Sequence, residues 1–188
     1  WRRLPETFPP GMRRRLDWLI PHTLRRARRI FVVSEAVKRD AVAEYGLDEE
    51  RVDVVYNSVD PLFAPVADED HLSLVRQRYG LPKPFIAYMG QLQPRKNVVR
   101  VAEAFSRLAA QGYPHSLVFV GKQSWRYGEI GPALEALGLG DRLFTTGYVP
   151  GEDLPAILSM ADAFAYVSLY EGFGLPVAEA MACGAPVL

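Results

Sequence analysis

The chain has 188 residues, of which 49% are hydrophobic and 23% charged, with a formal net charge of zero. That length allows one domain or parts of two, and the composition is that of a soluble globular protein. A neutral chain gives no argument for nucleic-acid binding. A single cysteine, Cys183, excludes an internal disulfide and fits a reducing, cytoplasmic compartment. No signal peptide and no apolar run near the length of a membrane span is visible.

The chain begins at Trp1 without a methionine and stops in the apolar run Pro186-Val187-Leu188, which reads as a strand just starting. A fragment of a longer protein is expected. Residues 1–12 are rich in Pro and Arg and read as irregular loop. A basic helical stretch follows from about Arg13 to Arg28, interrupted near Pro21. Eleven of the 22 Lys and Arg residues fall within residues 1–40. A solvated helix face is the plainer reading of that cluster. A peripheral contact with anionic lipid, or with a phosphate-bearing acceptor, is the sharper one. Ile30-Phe31-Val32-Val33 is a short apolar run of the buried parallel-strand type. Ser34 then caps a helix that Gly46 ends, and Val52-Asp53-Val54-Val55 is the next strand. Asn57-Ser58-Val59-Asp60-Pro61, with Phe63 and Pro65 after it, is dense in turn formers and reads as a linker.

From about Val66 strands and helices alternate. A helix over Glu69–Tyr79 leads to the strand Phe85–Met89. A helix over Val98–Ala110 leads to the strand Leu117–Val120. A helix from about Arg126 to Leu137 leads to the strand Leu143–Thr145. A helix over Leu154–Met160 leads to the strand Ala163–Val167. This alternation predicts an α/β fold with a parallel sheet. In such sheets ligands bind outside the carboxyl ends of the strands. Gly90, Gly121, Gly147 and Glu171 all follow predicted strand ends.

Three stretches at that edge carry chemistry. The first is Glu171-Gly172-Phe173-Gly174-Leu175-Pro176-Val177-Ala178-Glu179, a tight loop running into a helix. Gly172 and Gly174 permit a close backbone approach to a ligand. Pro176 suits a helix start. The amides at that start, with the helix dipole, favour an anion. Glu179, in the first turn or so, leans back toward the loop. A phosphate-sized socket between two carboxylates matches a sugar nucleotide, with hydroxyls on both sides of a diphosphate. A plain Gly-rich turn is the bland alternative. The second stretch is Gly90-Gln91-Leu92-Gln93-Pro94-Arg95-Lys96-Asn97, a loop with two adjacent cations. Basic residues are poorly placed at a helix start on dipole grounds, which argues for an anionic ligand over an ordinary βα loop. The third is Gly147-Tyr148-Val149-Pro150, which a strand-to-helix turn explains equally well. Gly121-Lys122-Gln123-Ser124-Trp125 is weaker, since Trp125 is more often packing than a stacking platform. His22, His71 and His115 lack any metal or triad pattern.

The nine-residue stretch from Glu171 to Glu179 resembles the paired-glutamate motif of retaining GT-B glycosyltransferases, in particular family 4. Gly90 to Asn97 is similar to the same family's Gly-x-Leu-x-Pro-Arg-Lys-Asn loop. Many members carry an arginine directly after that glycine, where this chain has Gln91. Residues 57–65 resemble the interdomain segment, with Ser58 in place of the usual Gly. The resemblance implies two Rossmann-like domains. Residues 1–65 would be the end of the N-terminal, acceptor-side domain with its linker. Residues 66–188 would be most of the nucleotide-sugar-binding domain.

It further implies transfer of a sugar from a GDP- or UDP-linked donor to a glycan or lipid-linked acceptor hydroxyl, with retention and with no metal or other cofactor. The Pro-Arg-Lys-Asn variant leans toward mannose on GDP. Lys96, with Arg95, would meet the donor phosphates. Glu171 would hold the sugar hydroxyls and Glu179 the ribose. The amides of Gly172, Phe173, Gly174 and Leu175 would receive the diphosphate, Gly90 would let it approach, and the backbone near Val149 would hold the base. The rivals are a non-catalytic nucleotide-binding module of the same fold and another GT-B enzyme, such as an epimerase or a phosphorylase. Such a fragment is expected to be inactive by itself.

Overall fold

The computed structural model of the chain describes residues 2–122 and 127–188. Gln123, Ser124, Trp125 and the expected helix start at Arg126 lie outside the described residues. The chain divides into two units, one formed by Trp1–Ser58 with Tyr170–Gly174 and the other by Val59–Leu169 with Leu175–Leu188. The division falls seven residues ahead of the boundary read from the sequence, and the segment carrying Glu171 clusters with the first unit.

The first unit holds helix α1 (Pro10–Arg26), strand β1 (Ile30–Val32), helix α2 (Glu35–Tyr45) and strand β2 (Val52–Val54). α1 starts earlier than the sequence suggested and runs through Pro21 without a break. Pro10 lies in the first turn, where a missing N–H costs nothing. Pro21 removes one backbone bond, and the helix still closes with the Ala27 N–H on the Thr23 carbonyl. β1 and β2 pair in parallel, with Ile30 opposite Val52 and Val32 opposite Val54. Ile30, Val32 and Val52 form a small core against Leu24, Val37 and Val42. Arg2 pairs with Asp17, Arg3 with Asp40 and Arg29 with Asp53. Part of the basic cluster is therefore neutralised locally by exposed pairs, each of small energetic weight.

The second unit is a four-stranded parallel sheet in the order β5-β4-β3-β6, formed by β3 (Phe85–Met89), β4 (Ser116–Val120), β5 (Leu143–Gly147) and β6 (Ala163–Phe164). Phe85 pairs with Ser116 and Met89 with Val120, and Ala87 lies opposite Phe164. One face carries Phe85, Ala87, Met89, Val118, Val120 and Phe164. Residues of α3 (Glu69–Tyr79), α6 (Leu154–Met160) and α7 (Leu175–Ala182) cover it, Val75, Ile157 and Ala180 among them. The opposite face carries Tyr88, Leu117 and Phe119, which pack on α4 (Val98–Ala110) and α5 (Tyr127–Glu135). Burial on both faces explains why β3 and β4 read as continuous apolar runs. In α4, Val98, Val101, Ala102 and Phe105 are buried, a spacing that puts all four on one helical face.

β6 is shorter than the five residues expected. Beyond Phe164 the chain still bonds to its neighbours, with the Ala165 N–H on the Ala87 carbonyl and the Tyr166 N–H on the Leu188 carbonyl. Val187 forms a parallel bridge with Phe164. The apolar run at the C-terminus thus extends the sheet beyond β6. Helix ends follow local chemistry. Asp68 accepts from the Asp70 and His71 amides at the start of α3, and Gly80 closes that helix in the left-handed region.

Candidate functional site

The carboxyl ends of β3, β4 and β5 converge through glycine backbone. The Gly90 N–H donates to the Val120 carbonyl at 2.9 Å, and Gly121 bridges to Gly147. A Cβ added at Gly121 would stand 2.2 Å from the Gly90 carbonyl oxygen, so no other residue fits there without a backbone shift. The Leu92 N–H donates to the Lys122 carbonyl at 3.0 Å and fastens the start of the next loop.

That loop presents Lys96. Pro94–Lys96 is a single 3-10 turn, and Asn97 follows with φ 58°, a left-handed conformation that asparagine tolerates. Lys96 is only 8% exposed. Its ammonium donates to the Tyr166 hydroxyl and lies 4.7 Å from the centre of the Tyr166 ring. The loop is laced to the segment after β6. Asn97 Nδ2 donates to the Val167 carbonyl at 3.0 Å, and the Leu169 N–H donates to the Arg95 carbonyl at 3.0 Å. Arg95 is half-buried, whereas Gln91 is exposed.

A cleft of about 340 Å³ opens at the same edge, with Gly90, Gln91, Gly121, Lys122, Tyr148 and Val149 among its lining. The Val149 side chain is buried in the core, so its backbone is the part left for a ligand. Tyr148 is exposed, and the Lys122 ammonium sits 4.3 Å over its ring. A mostly apolar pocket with a few convergent polar groups is the usual form of a small-molecule site.

Glu179 is the fifth residue of α7, in its second turn, and Pro176 is the second residue. Burial pushes the Glu179 carboxyl above its ordinary range. No ion-pair partner for it stands among the described residues. The nearby Cys183 thiol is buried and is pushed up to about 11 by burial and by Glu179, which fits a packing residue and not a nucleophile.

Within the first unit, Glu171 to Gly174 are held on α2. The Ser34 hydroxyl accepts from the Val37 N–H at the head of α2 and donates to the Gly172 carbonyl at 2.6 Å. A Cβ on Gly172 would press on Val33 at 3.3 Å, so the residue is tight on steric grounds. The Tyr170 hydroxyl donates to Asp40 at 2.6 Å; its pKa is pushed up to about 12 by burial and by that carboxylate. Phe173 is exposed, with its ring 6.3 Å from that of Tyr56. Gly174 has φ 88°. Leu175 opens α7.

Sequence reasoning missed Tyr166 and Tyr170, and it read Ser34 correctly as a helix cap without its bond to the Gly172 carbonyl. Tyr166 sits in an apolar run and looks like ordinary core, and the partners of Ser34 and Tyr170 are remote in sequence. Among the described residues, no three His, Cys, Asp or Glu side chains gather where they could hold a metal ion.

Comparison with known proteins defines the class. Residues 75–188, more than half of the chain, match the family model of the group 1 glycosyl transferases, and residues 1–62 match that of glycosyltransferase family 4. The chain belongs to the group 1 glycosyl transferases.

The O-antigen chain mannosyltransferase B of Escherichia coli is 29% identical over 98% of this chain and 49% of its own length. The 2-deoxystreptamine glucosyltransferase of Streptomyces kanamyceticus is 31% identical over 87% of this chain and 43% of its own. Anabaena HepE, crystallised with UDP and glucose, matches with a TM-score of 0.78 at 24% identity over 97% of this chain and 49% of HepE, a likeness of fold. Sucrose-phosphate synthase from Thermosynechococcus elongatus matches with a TM-score of 0.73 at 25% identity, over 97% and 45%. The fold is therefore GT-B, and the chain spans about half the length of these relatives or less.

Proposed function

We propose that the protein to which this chain belongs transfers a sugar from a nucleoside-diphosphate donor to an acceptor hydroxyl, with retention at the anomeric carbon. The observation that carries the reading is Lys96, a buried cation at the carboxyl edge of a parallel sheet, in a chain of this family. Lys96 suits a diphosphate as a compact point charge. Negative charge grows on the leaving phosphate as the glycosidic bond breaks, and a preorganised cation stabilises it. Lys96, Arg95 and the amides of Gly172 to Leu175 take that role, with Gly90 leaving room for the backbone's approach. Glu171 holds the sugar hydroxyls beside the developing oxocarbenium. Glu179 grips the ribose, and the Val149 backbone meets the base.

Mannose on GDP is the donor we favour. Escherichia coli mannosyltransferases among the relatives support it. UDP-linked glucose is the other candidate, since HepE was crystallised with UDP-glucose. The acceptor is a glycan or a lipid-linked glycan. The basic helix α1, with Trp18 69% exposed, supports a peripheral membrane contact in the cytoplasm. No helix among the described residues is long and apolar enough to cross a membrane.

The test is turnover by the full-length protein with GDP-mannose and UDP-glucose, read as release of the nucleoside diphosphate. Lys96→Ala and Glu171→Ala each lower the rate more than about tenfold, roughly 1.4 kcal/mol of transition-state stabilisation. Near-normal rates in either folded variant contradict the assignment. Nucleotide binding without transfer to any acceptor favours a binding module of the same fold.

A further inference from the structure

The geometry points to Tyr166 as the residue that positions Lys96 for the donor diphosphate, an inference that rests on the donor-site reading above. A lysine side chain is flexible and loses substantial rotamer freedom when it is fixed. In this chain the ammonium is held by one residue. It donates to the Tyr166 hydroxyl, at the end of the ring and 4.7 Å from its centre. The ring is itself immobilised. Tyr88, fully buried, stacks on it with ring centres 5.9 Å apart at 20°, and Phe164 stacks on it at 5.9 Å and 16°. The Tyr88 hydroxyl donates to the Lys96 carbonyl at 3.5 Å, so Tyr88 meets the backbone of Lys96 and Tyr166 its side chain. The Asn97–Val167 and Leu169–Arg95 bonds then fix the two loops in register.

Gln91, exposed at the same edge, carries no charge, so the phosphate's stabilisation depends on Lys96 and on how well it is held. A preplaced ammonium meets the diphosphate without paying its ordering entropy at that moment. Tyr166 acts through Lys96, and its contribution should appear only where a second phosphate is present.

A double-mutant cycle on the full-length protein tests this by calorimetric titration of GDP against GMP and of UDP against UMP. The readout is the ratio of diphosphate to monophosphate affinity for the base that binds. Lys96→Ala abolishes the diphosphate gain. Tyr166→Phe keeps the ring stacks and cuts that gain about three- to tenfold, with monophosphate affinity unchanged. In the Lys96→Ala background, Tyr166→Phe has no further effect. A full diphosphate gain in Tyr166→Phe, or an equal loss for mono- and diphosphate, overturns the positioning role while the donor site stands. An unchanged gain in Lys96→Ala overturns the donor-site reading and the inference with it. A thermal melt within a few degrees of wild type shows that Tyr166→Phe is folded. If it is not, Tyr166→Met, which also removes the hydroxyl that holds the ammonium, replaces it in the cycle: a diphosphate-specific loss that vanishes without Lys96 supports the inference, while none overturns it.

Discussion

Lys96 and Glu179 are opposite solutions to burying a charge. Lys96 is almost wholly enclosed and gives its ammonium to the Tyr166 hydroxyl. Glu179 is half-buried, and desolvation pushes its carboxyl upward. The sign of that effect is fixed by linkage. A raised folded pKa gives stability that is fully present below the ordinary carboxylate value and is lost as pH rises through the folded value. At neutral pH the ionised Glu179 therefore costs stability, as expected of a group kept for binding. Glu179→Gln should raise the melting temperature at neutral pH and weaken nucleotide binding about tenfold, roughly 1.4 kcal/mol. The gain in melting temperature should fade in acid. A lower melting temperature with unaltered binding would contradict both parts. The two residues also differ from Tyr166 in how visibly the sequence declares them. Adjacent cations at a helix start and a carboxylate spaced from a Gly-rich loop are conspicuous because they oppose ordinary local chemistry. A tyrosine in an apolar run opposes nothing, and its role depends on a partner seventy residues away.

The elements follow the same logic. β3, α3, α4 and α6 lie where apolar runs and periodicity put them, because their ends are marked by Asp68, Gly80 and Gly90. α1 and β6 were misjudged at their bounds. The start of α1 is written in two prolines that also suit a loop, and β6 is defined by its partners more than by the five-residue apolar run Ala163–Val167 in which it lies. One side-chain clasp between elements left no local signal. Asp153, just before α6, accepts from Arg78 at 2.8 Å and from Tyr79 at 2.6 Å, both at the end of α3. Burial raises the Asp153 carboxyl, but the bonds from Tyr79 and Arg78 outweigh it and hold the group below its ordinary range. Its stabilisation is therefore present above the ordinary carboxylate value and is lost as pH falls through the depressed one. Asp153→Ala should cost about 2 kcal/mol in denaturant unfolding at neutral pH, with the gap narrowing in acid. A cost independent of pH would point to packing alone.

At the scale of the whole molecule, the chain is two units of a group 1 glycosyl transferase, each with its own core. The fold class was legible because strand and helix alternate with glycines at the strand ends. One short segment was less so. The segment Tyr170–Gly174 sits within the second half of the sequence yet clusters with the first unit, through Ser34, Asp40 and Val33. Contacts of that range are set by tertiary packing and leave no periodic trace. The central claim is that the protein binds a nucleoside-diphosphate sugar through Lys96. Calorimetric titration of the full-length protein with GDP, UDP and ADP tests it most directly. Selective micromolar binding of one nucleotide, about −8 kcal/mol, weakened at least tenfold by Lys96→Ala, is the predicted result. Failure to bind any of the three, or binding that Lys96→Ala leaves unchanged, would contradict it.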